Sequence, residues 1–446
     1  MNKNDLTQGN LWKRILLFSL PLMLSNVLQV LFNMADVAVV GQFAGSKALG
    51  AVGSTSTLVA LFTGILIGMS CGVNVLVALH YGAKKPKEVV ETVHTSALVC
   101  LVLGIFLLIT GVTFSRDILQ LLNTKEELID GATKYLRIYF LGMPALALYN
   151  FGNGVYSAVG ETRKPLIYLM IAGVLNVVLN LILVIGFHMD VEGVAIASVI
   201  SQYVSAILIL ISLSRVKDVY GLVFTKLRFH GDKVKAILTI GIPSSLQYAI
   251  FQVANLFVQV GVNSFDAVMV EGNSAAANAD ALVYDVMAAF YTACSSFMSQ
   301  NFGAKKKDRV LKSYFISLAY SFGIGTIMGL LLVVFGETFL ALFTKDAIVI
   351  EAGMKRLTIM GLSYGVSAFM DASIAACRGL GKSVVPTIIV IMGSCVFRVI
   401  WVYTVFAYFK TIPSLYLLYI FSWSITAIAE LVYFIKIYRT QMKMLQ

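Results

Sequence analysis

The chain has 446 residues, 59% of them hydrophobic and only 13% charged, and its mean hydropathy is +0.85. Soluble domains run at about 45–50% apolar and about 25% charged, so this composition excludes an ordinary soluble globular protein and implies a lipid bilayer as partner. The formal net charge of +11 is not a sign of nucleic-acid binding, because in so apolar a chain basic residues flank membrane spans on one side.

Cutting the apolar runs at charge and turn clusters predicts an all-α integral membrane protein of twelve transmembrane helices. They fall near residues 13–41, 47–80, 89–114, 128–159, 165–187, 191–213, 234–265, 274–300, 309–336, 348–377, 384–408 and 413–437. The first stays apolar past Pro21 to Val40, longer than the core of a signal peptide, and is expected to remain in the mature protein. At about 20 residues per span, twelve spans leave short loops and no folded soluble domain. Of the 34 Lys and Arg residues, 24 fall on the side of the N-terminus, the central linker and the C-terminus, and 9 on the other, Lys345, Lys355 and Arg356 among them. That bias predicts a multi-pass plasma (inner) membrane protein with both termini in the cytoplasm.

Residues recur along the chain at an offset of about 221. Pro21 answers Pro243, Tyr81-Gly82-Ala83-Lys84-Lys85 answers Phe302-Gly303-Ala304-Lys305-Lys306, and Gly160…Pro165 answers Gly381…Pro386. The chain therefore divides into an N-lobe at 1–213 (helices 1–6), a cytoplasmic linker at 214–232 and a C-lobe at 233–446 (helices 7–12). Six is even, so the repeats are parallel and related by an axis along the membrane normal, a layout found in secondary transporters with a central cavity.

Charges inside spans cost roughly 2.5–3.5 kcal/mol each on insertion scales and are functional candidates. Asp36 lies late in helix 1 and Asp371 in helix 10, where it either serves the cavity or forms a static ion pair with Arg398 of helix 11. In helix 8, Asp280 is expected near the outer water layer, whereas Asp285 is deeper and is either a cavity or a structural residue. Glu430 lies two turns from the basic C-terminus, near enough to snorkel, and is left out of the candidates. Asn176 and Asn180 share a face of helix 5, Asn26, Gln29 and Asn33 run over two turns of helix 1, and Gln247, Gln252, Asn255 and Gln259 form a similar stripe in helix 7. The five cysteines read as small core hydrophobes. The four histidines show no metal spacing, and neither a phosphate-binding loop nor a nucleophile motif is present, so neither metal nor enzymatic activity is expected.

These residues resemble the multidrug and toxic compound extrusion (MATE) family, in the superfamily that also holds lipid and oligosaccharide flippases. The resemblance is carried by the two parallel copies and by Asp36 followed by Val40-Gly41 and Ala48-Leu49-Gly50-Ala51. It is carried as well by Gln300-Asn301-Phe302-Gly303-Ala304 and by Asp371-Ala372 followed by Arg378-Gly379-Leu380-Gly381. It implies efflux of small cationic or amphipathic organic compounds by a monomer, through antiport with Na⁺ or H⁺, no other cofactor being called for. By position, Asp36 looks like the coupling carboxylate, with Asn176, Asn180 and Ser198 as its polar neighbours, and Asp371 like the acid of the C-lobe. Many members carry a carboxylate where Asn180 stands and a glutamate in helix 7 near Gln252. Asp371, Asp285, Gln252, Asn33, Gln29 and Arg398 are the expected substrate-cavity residues. A flippase for lipid-linked or peptide-like cargo is the alternative, although in-span acids outnumber the one in-span arginine and favour cations.

Overall fold

The computed structural model describes residues 5–443. All regular structure among them is helical: α1 (Leu11–Val39), α2 (Ser46–Gly82), α3 (Pro86–Leu121), α4 (Glu126–Phe140), α5 (Met143–Ala158), α6 (Arg163–Asn180), α7 (Val191–Ser214) and α8 (Gly231–Val262) in the first part of the chain. The order continues with α9 (Ala267–Gly303), α10 (Lys307–Leu340), α11 (Ala347–Gly379), α12 (Val384–Val390), α13 (Phe397–Trp401), α14 (Ala407–Phe409) and α15 (Ile412–Lys443). Eleven stretches are long and apolar enough to cross a bilayer, with α12 to α14 forming one of them, Val384–Phe409. The twelfth is the pair α4 and α5, expected as one helix over 128–159. It breaks at Leu141–Gly142, just before Pro144, which has no N–H to continue the ladder. At Gly142 a Cβ would lie 1.8 Å from Gln202 Oε1, so a larger residue there would have to displace the Gln202 side chain of α7.

Two compact units divide the chain, Leu24–Ser245 in one and Leu6–Met23 with the residues from Leu246 onwards in the other. The boundaries fall inside α1 and α8, a few residues after Pro21 and Pro243, not in the linker. Proline removes a backbone hydrogen bond and loosens its helix locally, and each helix changes unit beyond that point.

The apolar face of the early α1 segment, Leu11, Ile15, Phe18 and Leu22, packs on Ala289, Phe290, Ala293 and Phe297 of α9 in the second unit. Polar groups hold the chain ahead of it: Arg309 donates to the carbonyls of Leu6, Gln8 and Gly9, Lys306 Nζ to Thr7 O at 2.7 Å, and Gln300 and Asn301 bond the backbone of Leu6. The Gln300-Asn301 motif thus has a structural job. In the first unit Ile237 and Ile240 of α8 join the main core, and Lys233 sits among Glu88, Glu91 and Asp232, 2.8 Å from Asp232. Those three acids lie close enough together to hold a metal ion, but the Lys233 ammonium takes that place. His94 accepts from Val223 N at 3.0 Å and His230 meets Thr95 Oγ1 at 3.1 Å, so these histidines fasten the linker to α3.

Candidate functional site

In the first unit the structure brings together four residues from three helices: Asp36 of α1, Asn176 and Asn180 of α6, and Ser198 of α7. Asn180 Nδ2 donates to Asp36 Oδ1 and, at 3.3 Å, to Asn176 Oδ1. Ser198 Oγ donates to Asp36 Oδ2 at 3.4 Å and receives Asn176 Nδ2 at 3.4 Å. Asn176, Asn180 and Ser198 are buried, and Asn180 Oδ1 has no hydrogen-bond partner. Among the described residues no Lys or Arg forms an ion pair with Asp36.

Local sequence explains the approach of these helices. Gly173, Asn176 and Asn180 recur at i, i+3 and i+7, one face of α6. On that face the Phe32 ring of α1 sits where a Gly173 Cβ would be, 1.9 Å from Phe32 Cε2. Four residues beyond Asp36, α1 widens into a π-helical segment, Val40–Ala44, and α6 does the same directly after Asn180, at Leu181–Gly186. Such widened turns occur often at functional sites because they shift the side-chain register and free backbone groups.

The second unit holds buried charge of both signs. Asp371 on α11 is 7% exposed, and its Oδ2 has no hydrogen-bond partner. The static ion pair with Arg398 does not form. Instead the Arg398 guanidinium stacks on Tyr419 at 4.6 Å and Phe251 at 5.4 Å, donating to Ser422 Oγ at 3.3 Å and Asn255 Oδ1 at 3.4 Å. Arg378, expected as a cytoplasmic flank, is buried and donates to Gln247 Oε1 at 2.7 Å. Asp280, expected near the outer water, pairs with the buried Arg356, counted above as a loop cation, and accepts from Tyr364 Oη. Arg356 also bonds Asn273 and faces the Tyr416 ring at 5.3 Å. Glu430 does not snorkel: it is fully buried.

The expected substrate-cavity residues are shared between the two units. Gln29 and Asn33 are exposed on α1 in the first unit, whereas half-buried Gln252 and Asp285 and buried Asp371 and Arg398 are in the second.

A duplicated, all-helical, multi-pass architecture with polar clusters inside its spans is that of an integral membrane transporter. The MatE family model matches residues 21–182 and again 243–404, one match in each repeat, and the chain belongs to that family. The probable multidrug resistance protein YoeA of Bacillus subtilis is 26% identical over 392 residues, 86% of this chain and 84% of the relative. The probable multidrug resistance protein NorM of Thermotoga maritima is 26% identical over 416 residues, 89% of this chain and 86% of the relative. The outward-facing structure of a multidrug resistance MATE family transporter has the same fold, with a TM-score of 0.91 at 21% identity over 99% of both chains.

Proposed function

We propose that this chain exports cationic and amphipathic organic compounds by antiport with H⁺ or Na⁺, giving access alternately to the two sides of the membrane. The observation that carries the reading is Asp36, whose two carboxylate oxygens are held by Asn180 and Ser198 with no cationic side chain among the described residues paired to it. A lone carboxylate in a low-dielectric lobe is neutralised by one monovalent cation, which removes most of the cost of a net charge there. Asn176, Asn180 and Ser198 offer neutral oxygens of the kind that Na⁺ needs and a proton does not. The two multidrug resistance relatives support the substrate class. So does the charge inside the spans: with Asp280 paired to Arg356, Asp36, Asp285 and Asp371 outnumber Arg378 and Arg398.

The transporter works as a monomer in the plasma membrane with both termini cytoplasmic, as the Lys and Arg bias favours. The test is dye uptake into inverted vesicles under imposed Na⁺ or proton gradients. Gradient-driven uptake by the wild type is expected, and uptake unaffected by collapsing either gradient would overturn antiport.

A further inference from the structure

Glu430 has no part in the mechanism above, yet it is an isolated acid inside the second unit. It is 0% exposed, and neither carboxylate oxygen has a hydrogen-bond partner. The groups that act on it electrostatically are Arg378, Asp371 and Cys377 of α11 and Tyr433 of its own helix α15. Arg378 forms no ion pair with it and donates one terminal N–H to Gln247, while its Nε has no hydrogen-bond partner. On the other segments against α15, Arg398 is turned to Tyr419 and Ser422, and Cys395 is buried.

The internal repeat supplies a control for this position. At the offset of about 221, Glu430 corresponds to Ile209, Asp371 to Asn150 and Arg378 to Ser157. Ile209 is fully buried and fills the space beside Gly152, where a Cβ would come within 2.7 Å of it. One copy of the fold therefore packs this position with an apolar side chain and keeps its two α5 partners neutral. The three ionisable groups of the other copy answer no packing need. A buried unpaired carboxylate costs so much as an anion that it binds a proton instead, and a guanidinium nearby gives the anion somewhere to be stabilised once the proton leaves.

We propose that Glu430 is a proton-binding site of the second unit, distinct from the Asp36 site, loaded in the conformation seen here and unloaded when the transporter changes state. On unloading, the carboxyl O–H bond breaks, the proton passes to water, and the carboxylate takes the Arg378 guanidinium that Gln247 now holds. On reloading, water returns the proton and Arg378 goes back to Gln247. The place of the site in transport rests on the antiport reading, but the bound proton does not.

The test uses the full-length protein in proteoliposomes, comparing infrared spectra of the wild type with Glu430→Gln and with Glu430→Ile, the residue of the first copy. The wild type is expected to show a protonated-carboxyl band that both variants lack. Both variants are expected to go on moving dye, with one proton fewer exchanged per dye molecule and a flattened pH profile. The absence of a difference band would overturn the proposal. So would a band accompanied by unchanged proton count and pH profile, since the carboxyl is then a permanently neutral packing group. Wild-type transport by Asp36→Asn with the band intact would instead sink the antiport reading alone.

Discussion

Asp36 is half-buried, yet each of its oxygens meets a different side chain from a different helix, so its position is fixed while its charge is left uncompensated. Asp36→Asn keeps those hydrogen-bonding shapes and removes the charge. The protein is expected to fold and bind dye but to lose gradient-driven transport by at least about tenfold, a coupling of about 1.4 kcal/mol; wild-type rates would refute the assignment. Asn180→Ala removes one neutral oxygen, and transport driven by Na⁺ is expected to fall more than transport driven by protons. Since Asp371 and Arg398 are separately housed, Asp371→Asn/Arg398→Gln is expected not to restore transport lost in the single variants, and full recovery would reinstate the static pair. Arg356 is different: it is buried and paired with Asp280, bonds Asn273 and faces the Tyr416 ring, although its Nε has no hydrogen-bond partner. Removing one member of such a pair strands the other, at about 3–5 kcal/mol for a buried pair. Arg356→Leu is expected to lower the melting temperature in detergent markedly, and an unchanged value would count against that role. Asp36 and its three neighbours were legible because the polar spacing on α6 and the family resemblance pointed to the same residues. Glu430, Arg356 and Arg378 were not, because distance along a helix from the nearest charged end says nothing about which way a side chain faces.

At the scale of elements, the apolar runs placed the helices well and missed the changes within them. The break between α4 and α5 has a visible signal in Gly142 and Pro144, but the charged first half of that span blurs it. The π-helical segments at 40–44, 181–186, 391–396 and 402–406 leave no trace in composition, since the same residues fit either helical register. Close helix crossings are easier to foresee from small residues, and α10 and α11 supply one. A Cβ at Gly329 would lie 2.0 Å from the Gly361 carbonyl oxygen, which belongs to backbone and has no rotamer to escape into. Gly329→Ala is expected to cost about 1–3 kcal/mol by overpacking, read as a lowered melting temperature. A neutral outcome would mean that the two helices slide apart freely.

At the scale of the whole molecule, duplication divides the helices into two parallel sets of six, but it does not carry the chemistry. Asp36 has no acidic counterpart in the second repeat, and Asp371, Arg378 and Glu430 have neutral counterparts in the first. The repeats share the basic pairs Lys84-Lys85 and Lys305-Lys306 at their helix ends and diverge at these ionisable positions inside the spans. Parallel repeats of six spans also fix the side on which every helix end must emerge, and α11 offers the cleanest test. Its 33 residues, at about 1.5 Å each, reach about 50 Å, beyond the hydrocarbon thickness of about 30 Å. Lys345 precedes it and Lys382 follows it, both exposed. Arg356 and Arg378, now seen to be buried, drop out of the basic count on opposite sides and leave its sense unchanged. The native thiols give little background, since four are buried and only Cys71 is partly exposed. With an impermeant thiol reagent on intact cells, Lys345→Cys is expected to be modified at once and Lys382→Cys only after permeabilisation. The reverse order would invert the orientation, and labelling of both from one side would mean that α11 does not cross the membrane.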